Sequence, residues 1–304
     1  MKIIVINTKS DFSLEQQDIL NSIGHVHFIE SNPNYSDTIF IDEEDKIIAL
    51  GPEVVDWKIS IDVLSSIPNL IAVCLPTTNF AWVDGNVLKR KGVVLTNVPK
   101  YSTESVAEYA VWMMLGLARK IPILAKEKWK LDYSRHIGID LRGKTMGVVG
   151  LGSIGTRIGE MGQAMGMKVA YWSRTARDER FQNLDLETLL GTADFVFPTL
   201  ARNVDTANLL NADKLKLLKK ESYIVSITGD ELFDLEYTLK QVESGNLAGV
   251  AFESSGKTLD EYMGNVLATP PIAWFTKEAA AEDIRIWLET IQACAKGQPI
   301  NVVN

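Results

Sequence analysis

The chain has 304 residues, with 31 Lys and Arg against 39 Asp and Glu and a formal net charge of −8. That acidic balance argues against nucleic acid or an anionic membrane surface as a partner, because both select clustered positive charge. A hydrophobic share of 46% is that of an ordinary globular chain, long enough for about two domains.

Two cysteines, Cys74 and Cys294, lie far apart with no CxxC spacing and no Cys/His cluster, so no metal site and no disulfide framework is expected. The N-terminal MKIIVINTK is too short an apolar run for a signal peptide and reads as a first strand. No apolar run approaches the ~18–20 residues of a membrane span. A cytoplasmic protein acting on a small molecule is the expectation.

In chain order, short β-rich runs predict strands at Ile3–Ile6, His25–Ile29, Thr38–Ile41, Lys46–Leu50, Leu70–Cys74 and Val93–Thr96. Helical spacing predicts helices at Leu14–Ile23 and Ile59–Ser66 between them. A long helix comes next, from Thr103 to about Lys120, with Ser102 or Thr103 as N-cap and Glu104 in its first turn. Its apolar residues run nearly all round, as in a helix buried on several faces. A second series then alternates the strands Thr145–Val149, Lys168–Trp172, Asp194–Pro198, Tyr223–Ile227, Gly249–Phe252 and Val266–Ala268 with helices at Ile154–Met165, Leu186–Leu190 and Leu235–Ser244. An amphipathic helix over Lys277–Ala295 closes the chain. Alternation of this kind predicts an α/β protein of two Rossmann-like, doubly wound parallel-sheet domains.

Gly150-Leu151-Gly152-Ser153-Ile154-Gly155 is a GxGxxG placed between a predicted strand and a predicted helix, the context that gives the motif force. Gly150 permits the tight turn, Gly152 admits the backbone to a pyrophosphate, and Gly155 lets helix and strand pack. The helix N-terminus offers amide N–H groups and partial positive charge to phosphate, with Ser153 and Ile154 in its first turn. The next strand ends in Trp172-Ser173-Arg174-Thr175, where an NAD site carries an acid for the ribose. A neutral Ser173 and a cationic Arg174, with Arg177 nearby, favour a 2′-phosphate, hence NADP(H) as preferred cofactor with NAD(H) as the alternative. Arg174 as a solvated side chain, or one stacked on the adenine, is the competing reading.

Three further stretches stand out: Val94-Leu95-Thr96-Asn97-Val98-Pro99 with Ser105-Val106-Ala107-Glu108, Leu141-Arg142-Gly143-Lys144-Thr145 before the glycine motif, and Ser244-Gly245-Asn246-Leu247-Ala248-Gly249. In these the chain resembles the D-isomer-specific 2-hydroxyacid dehydrogenases. The resemblance implies a flavodoxin-like substrate domain from residues 1–100 plus 285–304, a cofactor domain over 101–284, and a homodimer. It also implies a catalytic arginine, glutamate and histidine, and here the sequence departs. Their places fall at Gly229, near Thr258 (with Asp260 and Glu261 close by) and at Pro271; no Lys or Arg lies between Lys220 and Lys240, and no histidine occurs after His136. Glu253 takes the place of an aspartate that serves the nicotinamide carboxamide, and Thr199 begins a stretch that departs from the family's pattern.

Candidates for the missing chemistry are Tyr101 as proton donor and Lys100 as a replacement positive charge, each with a packing or solvated role as the competing reading. Asp230 and Glu231 would suit a cationic substrate, or serve as turn and cap residues. Thr78, Asn79 and Phe80 fall in the loop that corresponds to the family's carboxylate-binding loop. Trp274 and Phe275 would make the active site apolar, while His25, His27 and His136 read as structural or solvated. The reading is an NADP(H)-dependent oxidoreductase with a non-standard site, acting on a 2-oxo acid, aldehyde or imine. The alternative is a catalytically inactive NAD(P)-binding regulatory protein.

Overall fold

The computed structural model describes the chain apart from residues 175–176, 202–205, 228–231, 255 and 257–258. It divides into two units, Met1–Ser102 with Thr276–Asn304, and Thr103–Phe275. The first begins β1 (Lys2–Ile6), α1 (Leu14–Asn21), β2 (His25–Ile29), α2 (Thr38–Ile41), β3 (Lys46–Leu50), α3 (Ile61–Ser66), β4 (Leu70–Cys74), α4 (Gly85–Arg90) and β5 (Val94–Thr96). The second holds α5 (Thr103–Ala118), α6 (Ile121–Lys126), β6 (Thr145–Val149), α7 (Ser153–Ala164), β7 (Lys168–Trp172), β8 (Gln182–Asn183), α8 (Leu186–Thr192) and β9 (Phe195–Pro198). It continues through α9 (Ala212–Leu215), β10 (Tyr223–Ser226), α10 (Leu235–Glu243), β11 (Gly249–Glu253) and β12 (Val266–Thr269). The chain then returns to the first unit as α11 (Lys277–Ala295).

The first sheet has strand order β2-β1-β3-β4-β5, with each neighbouring pair parallel. β3 is buried along its whole length, as a parallel strand covered on both faces requires. One correction falls here: Thr38–Ile41, expected as a strand, is the helix α2. A four-residue apolar run has no periodicity to decide its type. The place beside β1 is taken by β3, paired from Lys2↔Lys46 to Ile6↔Leu50, and α2 instead buries Phe40.

Sequence spacing also passed over the short helices α4, α6 and α9. Two of them rest on caps rather than apolar period: Asp84 accepts from Asn86 and Val87 N–H, and Asn211 from Lys214 N–H. α11 buries Ala279, Trp287, Leu288, Ile291 and Cys294, the 3.6-residue stripe of a helix laid on a sheet. Its Trp287 Nε1–H donates to the Cys74 carbonyl at 2.9 Å, a bond from helix to strand end.

The second sheet runs β12-β11-β10-β9-β6-β7-β8, with every pair parallel. Its strands feed two cores by simple alternation. Phe195, Phe197, Tyr223, Val225 and Ala251 join α5 and α7, whereas Val196, Ile224, Val250 and Phe252 join α8 and α10. α5 is largely buried, as its composition predicts, yet Trp112 and Leu115 stay exposed on one side. Among the described residues, no helix is long and apolar enough to cross a membrane and no group of three or more His, Cys, Asp or Glu is placed to hold a metal.

Candidate active site

The turn from β6 into α7 is dictated by its glycines. Gly150 has φ +104°, and a Cβ there would lie 2.6 Å from the Leu200 side chain. At Gly155 a Cβ would come within 2.3 Å of the Gly150 carbonyl oxygen and 2.7 Å of Thr199 Oγ1. Thr199 donates its hydroxyl to that same carbonyl at 2.5 Å, so it braces the turn from the neighbouring strand end. Gly152 is different. It is the N-cap of α7 with extended backbone (φ −84°, ψ −168°), and nothing lies within 4 Å of where its Cβ would be. Packing within the chain does not require this glycine, and the space beside it is open to close approach by a phosphate.

Beyond it, Ser153, Ile154 and Gly155 occupy the first turn of a twelve-residue helix that carries no acidic side chain there. Unshared N–H groups and the helix dipole then favour an anion. The residues present therefore fit a dinucleotide pyrophosphate.

At the end of β7, Ser173 is half-buried while Arg174 and Arg177 are exposed; Thr175 lies outside the described residues. The carboxylate beyond them, Asp178, pairs with Arg180 at 2.6 Å, and Arg180 also reaches Glu160 at 2.9 Å. Those bonds hold the Asp178 carboxyl below the usual carboxylate range. Asp178 is thus committed to Arg180, the third arginine of this stretch.

Glu253 closes β11. Its carboxylate accepts from the Ala273 N–H at 2.7 Å, with a second backbone bond from Ile272, while burial pushes its pKa up against those bonds. It therefore anchors the turn Pro270–Ala273 after β12, in which Pro271 is exposed. Trp274 and Phe275 meet edge to face at 5.1 Å, and Phe275 is exposed. Gly229 and Thr258 lie outside the described residues, as do Asp230 and Glu231. Asp260 and Glu261 are exposed in the short 3-10 helix Leu259–Glu261. His136 is buried, accepting from Asp132 N–H and lying 3.1 Å from Glu127.

In the first unit, Thr78 Oγ1 donates to the Val98 carbonyl at 3.0 Å and Asn97 Nδ2 donates to the Thr78 carbonyl at 2.9 Å. Asn79 turns its side-chain oxygen to the Ala81 N–H at 3.0 Å. These side chains build the loop. Its amide groups stay available: the N–H groups of Thr78, Asn79 and Phe80 donate to no backbone carbonyl among the described residues. A groove of about 590 Å³, lined by Phe80, Trp82 and Asn304 among others, opens beside this loop but presents no cation.

Lys100 is exposed, with φ +64°, and precedes the half-buried Tyr101. Burial raises the Tyr101 phenol first, and the negative charges of Asp283 and Glu53 raise it further, against a hydrogen bond with Ser102. Asp283 is pushed up to about 8, chiefly by burial and then by Glu53. Its Oδ1 is buried without a hydrogen-bond partner. Asp283 and Glu53 were not among the residues singled out by sequence. Asp283 had a legible signal, because 279, 283, 287 and 291 form one row of α11 and it is the one acid on that apolar row.

Two doubly wound parallel sheets, one opening its central helix with a glycine turn, define a dinucleotide-binding α/β protein. The chain matches the profile of the D-isomer specific 2-hydroxyacid dehydrogenase NAD binding domain over residues 111–270. It is 30% identical to a glyoxylate reductase of Aeropyrum pernix over 81% of this chain and 80% of the relative. Two solved structures share the fold: a glyoxylate reductase from Paecilomyes thermophila (TM-score 0.88, 19% identity, 100% of this chain and 98% of that one), and an acyclic imino acid reductase in complex with NADPH and D-Arg (TM-score 0.85, 23% identity, 100% of both chains). The chain belongs to the D-isomer-specific 2-hydroxyacid dehydrogenase family, whose members are NAD(P)-dependent oxidoreductases.

The Asp283 carboxyl generates a pH prediction. Its folded pKa of about 8 lies above the unfolded value near 3.9. Between those values the folded chain holds a proton that the unfolded chain has released. This contribution to stability is therefore complete below pH about 4, declines as pH rises, and is lost above about 8, with a slope of at most about 1.4 kcal/mol per pH unit. Asp283→Asn is expected to flatten that decline. Urea midpoints at pH near 5 and near 8 check it, and a variant whose midpoints fall in parallel with the parent's would contradict the assignment.

Proposed function

We propose that the chain is an NADP(H)-dependent reductase whose substrate is an imine rather than a 2-oxo acid. The observation that carries this reading is the pairing of an open glycine turn at Gly152 with Pro271 at the family's histidine position. Arg174 and Arg177 support a 2′-phosphate, since neither position carries the acid that would repel it. A reduced nicotinamide supplies a hydride when bound. Reduction of a ketone also needs a proton delivered to oxygen, a step for which a histidine is the usual donor. A protonated imine already carries that proton, so a site without histidine handles it at a smaller loss.

A protonated imine is a cation, and it needs no arginine of its own. The carboxyl groups acting on Tyr101 in the first unit are Asp283 and Glu53, and Asp283, pushed up to about 8, holds its proton through most of the neutral range. That leaves Glu53 as the source of negative charge, a bias that suits a cationic centre. The amide groups of Thr78, Asn79 and Phe80 are proposed to hold the substrate carboxylate. Tyr101 keeps its proton throughout the neutral range and is proposed to hold the substrate nitrogen; Lys100 is the weaker candidate. The acyclic imino acid reductase with the same fold was solved with NADPH and D-Arg, a cationic amino acid, which favours the same substrate class.

The test is NADPH oxidation against matched panels of 2-oxo acids, with and without methylamine or ammonia to form the imine. Turnover that requires the amine, and that Tyr101→Phe slows by about tenfold rather than abolishing, is the expected result. Faster turnover of the 2-oxo acids alone would overturn the imine reading. Binding of NADPH with no turnover of either panel would favour a ligand-sensing role instead.

We also infer a homodimer through the second unit, where Trp112, Leu115, Trp129, Leu131 and Tyr133 are exposed. Isolated exposed apolar residues are common, but Trp112 and Leu115 stand one turn apart on α5 and so present one apolar face for burial. Trp112→Glu is expected to shift sedimentation from dimer to monomer, and a parent chain that already sediments as a monomer would refute the inference.

A further inference from the structure

The sequence places Cys74 and Cys294 far apart and in apolar surroundings, a spacing that gives no sign of a disulfide. The fold brings them together. Cys74 ends β4 and Cys294 lies in the last turn of α11, 220 positions later, with the two Sγ atoms 3.8 Å apart. Both thiols are buried and both are free. The contact is held from a second direction, because Trp287 of α11 bonds the Cys74 carbonyl.

We propose that Cys74 and Cys294 are a modification site, a dithiol that hydrogen peroxide converts to an intramolecular disulfide tying α11 to β4. The inference is independent of the substrate assigned above. The sulfurs must close from 3.8 Å to the ~2.05 Å of a disulfide, a movement that side-chain rotation with a small helix shift can supply. The two thiols are not equivalent. The hydrogen bond to Cys294 and complete burial push the Cys74 thiol well up, while the S–H that Cys74 shares draws Cys294 down. Cys294 therefore releases its proton first and is the attacking sulfur.

Burial slows access, but Cys294 sits where α11 ends: Lys296 is exposed and Gly297 takes φ +69°. Helix ends fray, and opening of this last turn admits a molecule the size of peroxide. The Cys294 thiolate attacks one peroxide oxygen, the O–O bond breaks, and the departing hydroxide takes up a proton to leave as water. Cys74 sulfur then attacks the resulting sulfenic sulfur; the S–OH bond breaks, and the hydroxide leaves with the Cys74 proton as a second water. Two thiols lose two electrons in all, and one peroxide is reduced to two waters. The disulfide closes a loop over most of the chain and fixes the strand that runs into the loop Pro76–Phe80.

The experiment treats the full-length chain with hydrogen peroxide, then denatures it, alkylates with N-ethylmaleimide and measures intact mass and peptide links. The expected result is loss of two hydrogens, no alkylation, a peptide joining Cys74 to Cys294, and reversal by dithiothreitol. The oxidised chain should also unfold at a higher temperature than the reduced one. Cys294→Ser and Cys74→Ala, each checked for folding by circular dichroism, should show neither the link nor the thermal shift. Two alkylatable thiols after treatment, added oxygen in place of lost hydrogen, or a link between two chains would each overturn the proposal.

Discussion

The constraint on which the second unit depends is the contact between the Gly155 Cα and the Gly150 carbonyl, where a side chain would stand at 2.3 Å. That approach sets the start of α7 directly on the end of β6. Thr199 reinforces it from the end of β9, the strand beside β6 at the sheet centre, so two strand ends and a helix start meet at one carbonyl oxygen. α7 therefore begins with amide groups that have no partner within the turn and no acidic side chain beside them. The local steric requirement and the electrostatic one are satisfied by the same six residues, and only Gly152 among the three glycines is spared a packing role.

The first unit has a different logic. Its sheet is covered by α11, and the helix row that should be apolar throughout carries Asp283. Burying that carboxyl beside Glu53 costs stability as pH rises, and a fold tolerates such a group most readily where it does something. Tyr101 senses both acids, so the neutral and anionic groups of this unit form one electrostatic neighbourhood.

Much of the architecture was legible in the sequence because period carries it. The strands of both sheets other than the two-residue edge strand β8, and the long helices α5, α7 and α11, are set by apolar runs and 3.6-residue spacing to within a residue or two. Thr38–Ile41 failed because four β-branched or aromatic residues describe a strand and a helical turn equally well, and only the neighbouring strand decides. α4 and α9 were missed because caps rather than apolar faces define them. For the site, the glycine turn was readable as a local motif, whereas the Cys74–Cys294 contact and the acidic neighbourhood of Tyr101 depend on α11 returning to the first sheet. Residues 220 positions apart leave no local trace of their meeting.

The central claim is that the open face at Gly152 receives the pyrophosphate of a dinucleotide whose 2′-phosphate is met by Arg174. Fluorescence titration with NADPH and NADH, on the parent chain and on Gly152→Ala and Arg174→Ala, tests it most directly. The account predicts tighter binding of NADPH than NADH by at least about tenfold, or about 1.4 kcal/mol. Gly152→Ala should weaken both cofactors without loss of folding, and Arg174→Ala should weaken NADPH alone. Unchanged binding in Gly152→Ala, or no binding of either cofactor by the parent chain, would contradict it.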